Sequence, residues 1–141
     1  MESRKGKALV SFEEDIRSMG VGSWLRNYTS FVMPSHRYVA YITLGNDSML
    51  LQGKDKHTGT DWFLEIGKGE IFDVYHGFDD VYKQRHEKSV GITYSPLRIR
   101  FIKGGQDRSM YLLINVSRWT RSNDNAEWFD AIKTWKEGKR W

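Results

Sequence analysis

The sequence predicts a mostly β fold, an antiparallel barrel or sandwich of about seven strands, partly open and capped by one C-terminal helix over residues 124–137. Three observations carry this. Leu97, Ile99 and Phe101 alternate with polar residues, then Met110, Leu112, Ile114 and Val116 do the same beyond a Gly104-Gly105 turn, which is the pattern of a half-buried hairpin. Upstream of it, short aromatic and β-branched stretches recur between glycine-containing turns. The end of the chain has a sustained helical period, with Trp128, Ile132 and Trp135 at i, i+4 and i+7.

The elements follow in chain order. Residues 7–19 hold Leu9, Val10, Phe12 and Ile16 among Glu13, Glu14 and Asp15. The spacing of Phe12 and Ile16 suits a helical turn, and residues 8–12 suit a strand equally well, so both remain open. Residues 1–23 are placed as an N-terminal extension before the strands of 24–123. Tyr28, Thr29, Phe31 and Val32 predict a strand over 24–33, closed by Pro34-Ser35. Residues 38–44 are a strand, Gly45-Asn46-Asp47 a tight turn, and Met49-Leu50-Leu51 the start of the return strand. A polar loop with Lys54, Lys56 and His57 is expected over 53–60. Residues 62–66 form the next strand, and Gly67-Lys68-Gly69 turns into another over 71–75. Residues 76–88 are the longest polar stretch, and 90–94 a short strand. In the hairpin, Arg98 and Arg100 take one face of the first strand, and Tyr111, Leu113 and Asn115 take the corresponding face of the second. The helix has its own punctuation: Asp124 as N-cap, Glu127 three residues on as in a capping box, and Gly138 after the last turn.

The 141 residues fit a single domain, residues 1–141, with one core. With no cysteine there is no disulfide framework, thiolate metal site or cysteine nucleophile. No apolar stretch has the length of a signal peptide or a membrane span. A cytoplasmic protein is expected. Net charge is +4 but uneven: residues 1–82 carry −3 and residues 83–141 carry +7. A basic half of that kind suits an anionic partner, while the plain alternative is a mixed, solvated surface.

Seven or so short antiparallel strands closed by one C-terminal helix resemble the pleckstrin-homology-like fold, over about residues 24–137. The most specific part is the alternating pair followed by a helix with Trp128 on its inner face. Bacterial and archaeal pleckstrin-homology and GRAM-like domains are the most similar group, since they share the short strand that leads by a turn into residues 71–74. The resemblance implies a scaffold that binds and does not catalyse. The basic residues with which some members hold phosphoinositides have no counterpart at Pro34-Ser35-His36-Arg37 or Gly45-Asn46-Asp47, so lipid binding is not carried over. Gly22-Ser23-Trp24 is similar to the element that opens lipocalin-like barrels, which gives the alternative of a small-ligand carrier.

No catalytic constellation is present in the sequence. His36, His57, His76 and His86 lack metal-ligand spacing. No serine lies in a Gly-x-Ser-x-Gly elbow, and no phosphate-cradling glycine motif occurs. No enzyme activity, metal or cofactor is expected. Two stretches are binding candidates. The first is the loop with His76, Phe78, Asp79, Asp80 and Tyr82, where acids and aromatics mix; the alternative is that Phe78 and Tyr82 tuck into the core. The second is a basic face assembled from Lys83, Arg85, Lys88, Arg98, Arg100, Arg118, Trp119 and Arg121. Arginines around a tryptophan suit a protein interface first. They also suit an anionic lipid surface or single-stranded nucleic acid, the latter making a nucleic-acid-binding β domain the second alternative. Trp119 as a plug of the barrel end, with solvated arginines, is the reading without function.

Overall fold

In the computed structural model the described residues are 4–18, 36–81, 88–89, 92–93, 95–116 and 123–138. They form a curled, seven-stranded antiparallel sheet with a C-terminal helix, as the sequence predicts. The strands are β1 (Arg4–Phe12), β2 (Tyr38–Leu44), β3 (Ser48–Asp55), β4 (Asp61–Gly67), β5 (Ile71–His76), β8 (Leu97–Lys103) and β9 (Gln106–Ile114). Lys88–Ser89 (β6) and Ile92–Thr93 (β7) pair separately. The helices are α1 (Glu13–Ser18) and α2 (Asn125–Lys136).

The sheet order is β4-β3-β2-β1-β9-β8-β5. Its two ends, β4 and β5, are joined by the 3-10 turn Lys68–Glu70 alone. So short a link requires the sheet to curl until its ends approach each other. Inside the curl lie Val10, Ile42, Leu51, Ile66, Ile99, Phe101 and Leu112, all fully buried. Helix α2 covers the mouth, burying Trp128, Ile132 and Trp135 against this core. The Trp135 Nε1–H donates to the Gly45 carbonyl at 2.7 Å, fastening the last turn of α2 to the β2–β3 turn. Lys136 donates to the carbonyls of Lys68 and Ile71 and so holds the link between the sheet's ends.

The structure corrects the N-terminal extension. Residues 4–12 are strand β1, which sits between β2 and β9 and joins the two halves of the sheet. Both open readings of residues 7–19 occur in succession: the strand runs to Phe12, and the helix starts at Glu13. Asp15 makes that change of direction by accepting the Phe12 backbone N–H at 2.9 Å. Gly6 explains why the strand was obscure. It faces inward without a side chain, and a Cβ there would stand 2.9 Å from the Trp128 ring. An apolar side chain would have announced the strand, but the indole occupies its place.

Other boundaries shift as well. Gly53, Lys54 and Asp55 belong to β3, so the polar loop is shorter. A Cβ on Gly53 would meet the Val39 carbonyl oxygen at 1.9 Å, so this strand position requires glycine. The expected strand over 90–94 is replaced, among the described residues, by the pairing of Lys88–Ser89 with Ile92–Thr93. The Gly104-Gly105 turn is as predicted: both residues have positive φ, 59° and 78°, and Lys103 pairs with Gln106, as in a two-residue hairpin of primed type. Strand β9 stops at Ile114 because Asn115 turns to φ 54°. Both faces of its end are buried, since α1 and the segment after β5 cover Tyr111.

The capping box does not form. Asp124 is the N-cap residue but makes no side-chain cap bond; its carboxylate accepts from Asn115 Nδ2 at 2.7 Å. Glu127 lies near Arg4 at 3.8 Å. The start of α2 is secured by Asn125, which is fully buried. Its Oδ1 accepts the Ile114 N–H, and its Nδ2 donates to the carbonyls of Ser95 and Leu112. The other end behaves as read: Gly138 has φ 77° and its N–H donates to the Trp135 carbonyl. The expected strand over 24–33 lies outside the described residues.

Candidate functional site

Of the residues nominated by the sequence, Arg98, Arg100, Phe78 and Asp79 lie among the described residues and are engaged within the fold. Arg98 is 20% exposed in its side chain and is bracketed by Asp73 at 2.8 Å and Asp79 at 2.9 Å. Burial disfavours its charge, but hydrogen bonds to the two carboxylates outweigh this and hold its pKa above the ordinary arginine value. Its guanidinium also lies over the Tyr75 ring. Arg100 pairs with Asp107 at 3.6 Å and lies over Phe72. Lys88 is in β6. Lys83, Arg85, Arg118, Trp119, Arg121 and Tyr82 lie outside the described residues.

The loop candidates are divided in the same way. His76 ends β5, with its ring beside Phe129. Phe78 packs with Ile16, Val81 and Tyr111. Asp79 accepts from the Tyr111 hydroxyl at 2.7 Å, from Arg98 and from the Val81 N–H. Burial pushes the Tyr111 hydroxyl well above the usual phenol range, and its hydrogen bond to Asp79 adds to that. Asp80 is exposed. This part of the loop fastens the chain over β9 and offers little free chemistry.

A second arginine is held in like manner. Arg37 donates to Asp15 at 3.1 Å and to Asp55 at 3.1–3.2 Å, tying α1 to the end of β3. Its pKa is raised, first by the Asp55 bond and then by the Asp15 bond. Burial favours the protonated form of Asp55, but the His57 N–H and Arg37 outweigh it and keep this carboxyl below its usual value. Beside Arg37, Tyr38 and Trp62 stack at 4.2 Å, with Phe12 edge-on to both.

The accessible chemistry lies on the outer face of β1–β4. Strand register places its side chains in three cross-strand rows. The middle row is Lys7, Tyr41, Gln52 and Phe63. It is flanked by Lys5, Thr43, Leu50 and Glu65 on one side and by Leu9, Val39, Lys54 and Asp61 on the other. Tyr41 is 64% and Phe63 57% exposed, although both are large and apolar. A groove of about 730 Å³ runs between them, lined by Lys7, Gln52, Lys54 and Asp61 as well. An exposed aromatic pair rimmed by polar residues is what a binding surface presents.

Sequence reasoning missed this face. Its signal was present: Tyr41 and Phe63 are apolar at positions whose strand neighbours, Ala40 and Ile42 or Trp62 and Leu64, take the inner side. An apolar residue out of phase with the core alternation marks an outward face. No helix among the described residues is long and apolar enough to cross a membrane. Compared with known proteins, the chain matches no family model, and no curated protein matches it.

Proposed function

We propose that this chain is a non-catalytic, pleckstrin-homology-like binding module of the cytoplasm that recognises a protein partner through the outer face of β1–β4. One observation carries the reading: Tyr41 and Phe63 stand exposed in the same cross-strand row, with Lys7 beside them and the groove between. Exposed tyrosine and phenylalanine are side chains in which protein interfaces are enriched. The strand order, the single C-terminal helix and buried Trp128 support the family resemblance. The interior is filled by side chains of the sheet and α2, which favours recognition on the outside over a ligand carried within.

The test pairs Tyr41→Ser with Phe63→Ser in one variant. Immobilised wild-type chain and variant are compared for proteins retained from a cell extract, with circular dichroism confirming that both are folded. Proteins held by the wild type and lost from the variant are the expected result. An unchanged set of retained proteins overturns the reading. Binding to anionic vesicles that persists in the variant, with no protein retained by either form, overturns it in favour of a membrane surface.

A further inference from the structure

We infer that the outer face of β1–β4 is self-complementary and takes a second copy of this chain. The inference rests on reading that face as the partner surface, and it names the partner. Its basis is the placement of charge. Lys5 and Lys7 are exposed on β1, at one side of the face; Asp61 and Glu65 are exposed on β4, at the other. Three strand spacings, about 14 Å, separate the two columns, so these lysines cannot reach these acids within one chain. Lys5 and Lys7 have no ion pair among the described residues. Among the described residues Glu65 accepts one hydrogen bond, from the Ser48 hydroxyl, and Asp61 faces Lys54 at a loose 3.7 Å.

A two-fold axis parallel to the strands, between β2 and β3, resolves this separation. Laying one face on the other about that axis exchanges β1 with β4 and β2 with β3, and it preserves the rows. Lys5 of each copy then meets Glu65 of the other. Lys7 meets the Phe63 ring, between Asp61 and Glu65. Tyr41 meets Gln52. Each contact occurs twice, as a two-fold interface requires. The complement that a foreign partner would have to supply is already carried by the chain itself.

The face is small. Four strands by seven residues span roughly 450 Å² per copy, below the roughly 800 Å² per partner of a standard interface. The dimer is therefore weak and appears only at high concentration. Its charge pairs lie at the rim, so salt dissociates it.

Sedimentation velocity between roughly 10 µM and 1 mM, the range of weak affinities, tests the inference with two charge-reversed variants. One carries Lys5→Glu and Lys7→Glu, and the other Asp61→Lys and Glu65→Lys. The wild type is expected to dimerise with rising concentration, each variant to stay monomeric, and an equimolar mixture of the two to dimerise again. In 1 M NaCl the wild-type dimer should dissociate, a result that needs no variant to fold. A wild type that stays monomeric throughout overturns the inference and leaves the partner-face reading to its own aromatic variant. A wild-type dimer unaffected by either reversal or by salt also overturns it, because the contact then lies elsewhere.

Discussion

The two halves of the sheet treat their outward-facing charges in opposite ways. On β8 and β9 every described cation is paired within the chain: Arg98 with Asp73 and Asp79, Arg100 with Asp107, Lys103 with Glu70, Arg108 with Glu14. Two of these pairs reach across to cover the sheet, since Glu14 comes from α1 and Asp79 from the segment after β5. On β1–β4 the lysines of β1 and the acids of β4 occupy opposite borders of an aromatic face, and only Lys54 of β3 lies near an acid, Asp61, at a loose 3.7 Å among the described residues. The difference teaches that arginines alternating along a strand, here Arg98 and Arg100, can serve the fold itself. Here arginines fasten the covered half, and the less basic half is left open.

Removing a fastener should break that contrast most visibly. Arg98→Met would remove the guanidinium that bonds both Asp73 and the nearly buried Asp79, 10% exposed in its side chain. The expected loss is about 3–5 kcal/mol, the usual cost of stranding one member of a buried ion pair, read as a lower urea midpoint. A loss below about 1 kcal/mol would mean that the pair behaves like a solvated surface bridge, and the covered half would not differ from the open one.

Acid sharpens the comparison at the second arginine. The Asp55 carboxyl is held below its usual value in the folded chain, so the fold favours its charged form. Its contribution to stability is complete above the unfolded value near 3.8 and is lost as pH falls through the lower folded value. Asp55→Asn should therefore lower stability at pH 7 and flatten the fall in stability below pH 4, measured by thermal melts across pH 2–7. An unaltered acid limb would remove Asp55 from the acid response.

The smallest effect belongs to the open face. Lys5→Glu combined with Lys7→Glu should change the stability of the monomer by no more than about 0.5 kcal/mol, as exposed, unpaired side chains do. Dilute protein and the same urea titration serve here. A loss as large as that of Arg98→Met would show that these lysines fasten the fold too.

Local patterns made part of this fold legible. The hairpin and α2 were readable because alternation along a strand and the 3.6-residue stripe of Trp128, Ile132 and Trp135 are properties of adjacent residues. Strand β1 was obscured because Gly6 leaves its inner position to a tryptophan far along the chain. Asn125 was equally silent: one polar residue in a helical stretch gives no hint that it satisfies Ile114, Leu112 and Ser95. The candidate face was half legible. Tyr41 and Phe63 broke the core alternation, but nothing in the sequence placed them in one row with Lys7.

The sequence by itself determined the class of fold, with its strands and its C-terminal helix, because those signals are short-range and repeat with the geometry of the backbone. Only the tertiary structure decided which charges are free. Arg98 finds Asp79 across 19 residues, and Arg108 finds Glu14 across 94. Such pairings depend on strand register and on the curl of the sheet, which set distance in space regardless of distance along the chain. The +7 half is basic in composition, yet its cations on β8 and β9 are engaged, and the accessible lysines, acids and aromatics of the outer face meet on strands from the other half.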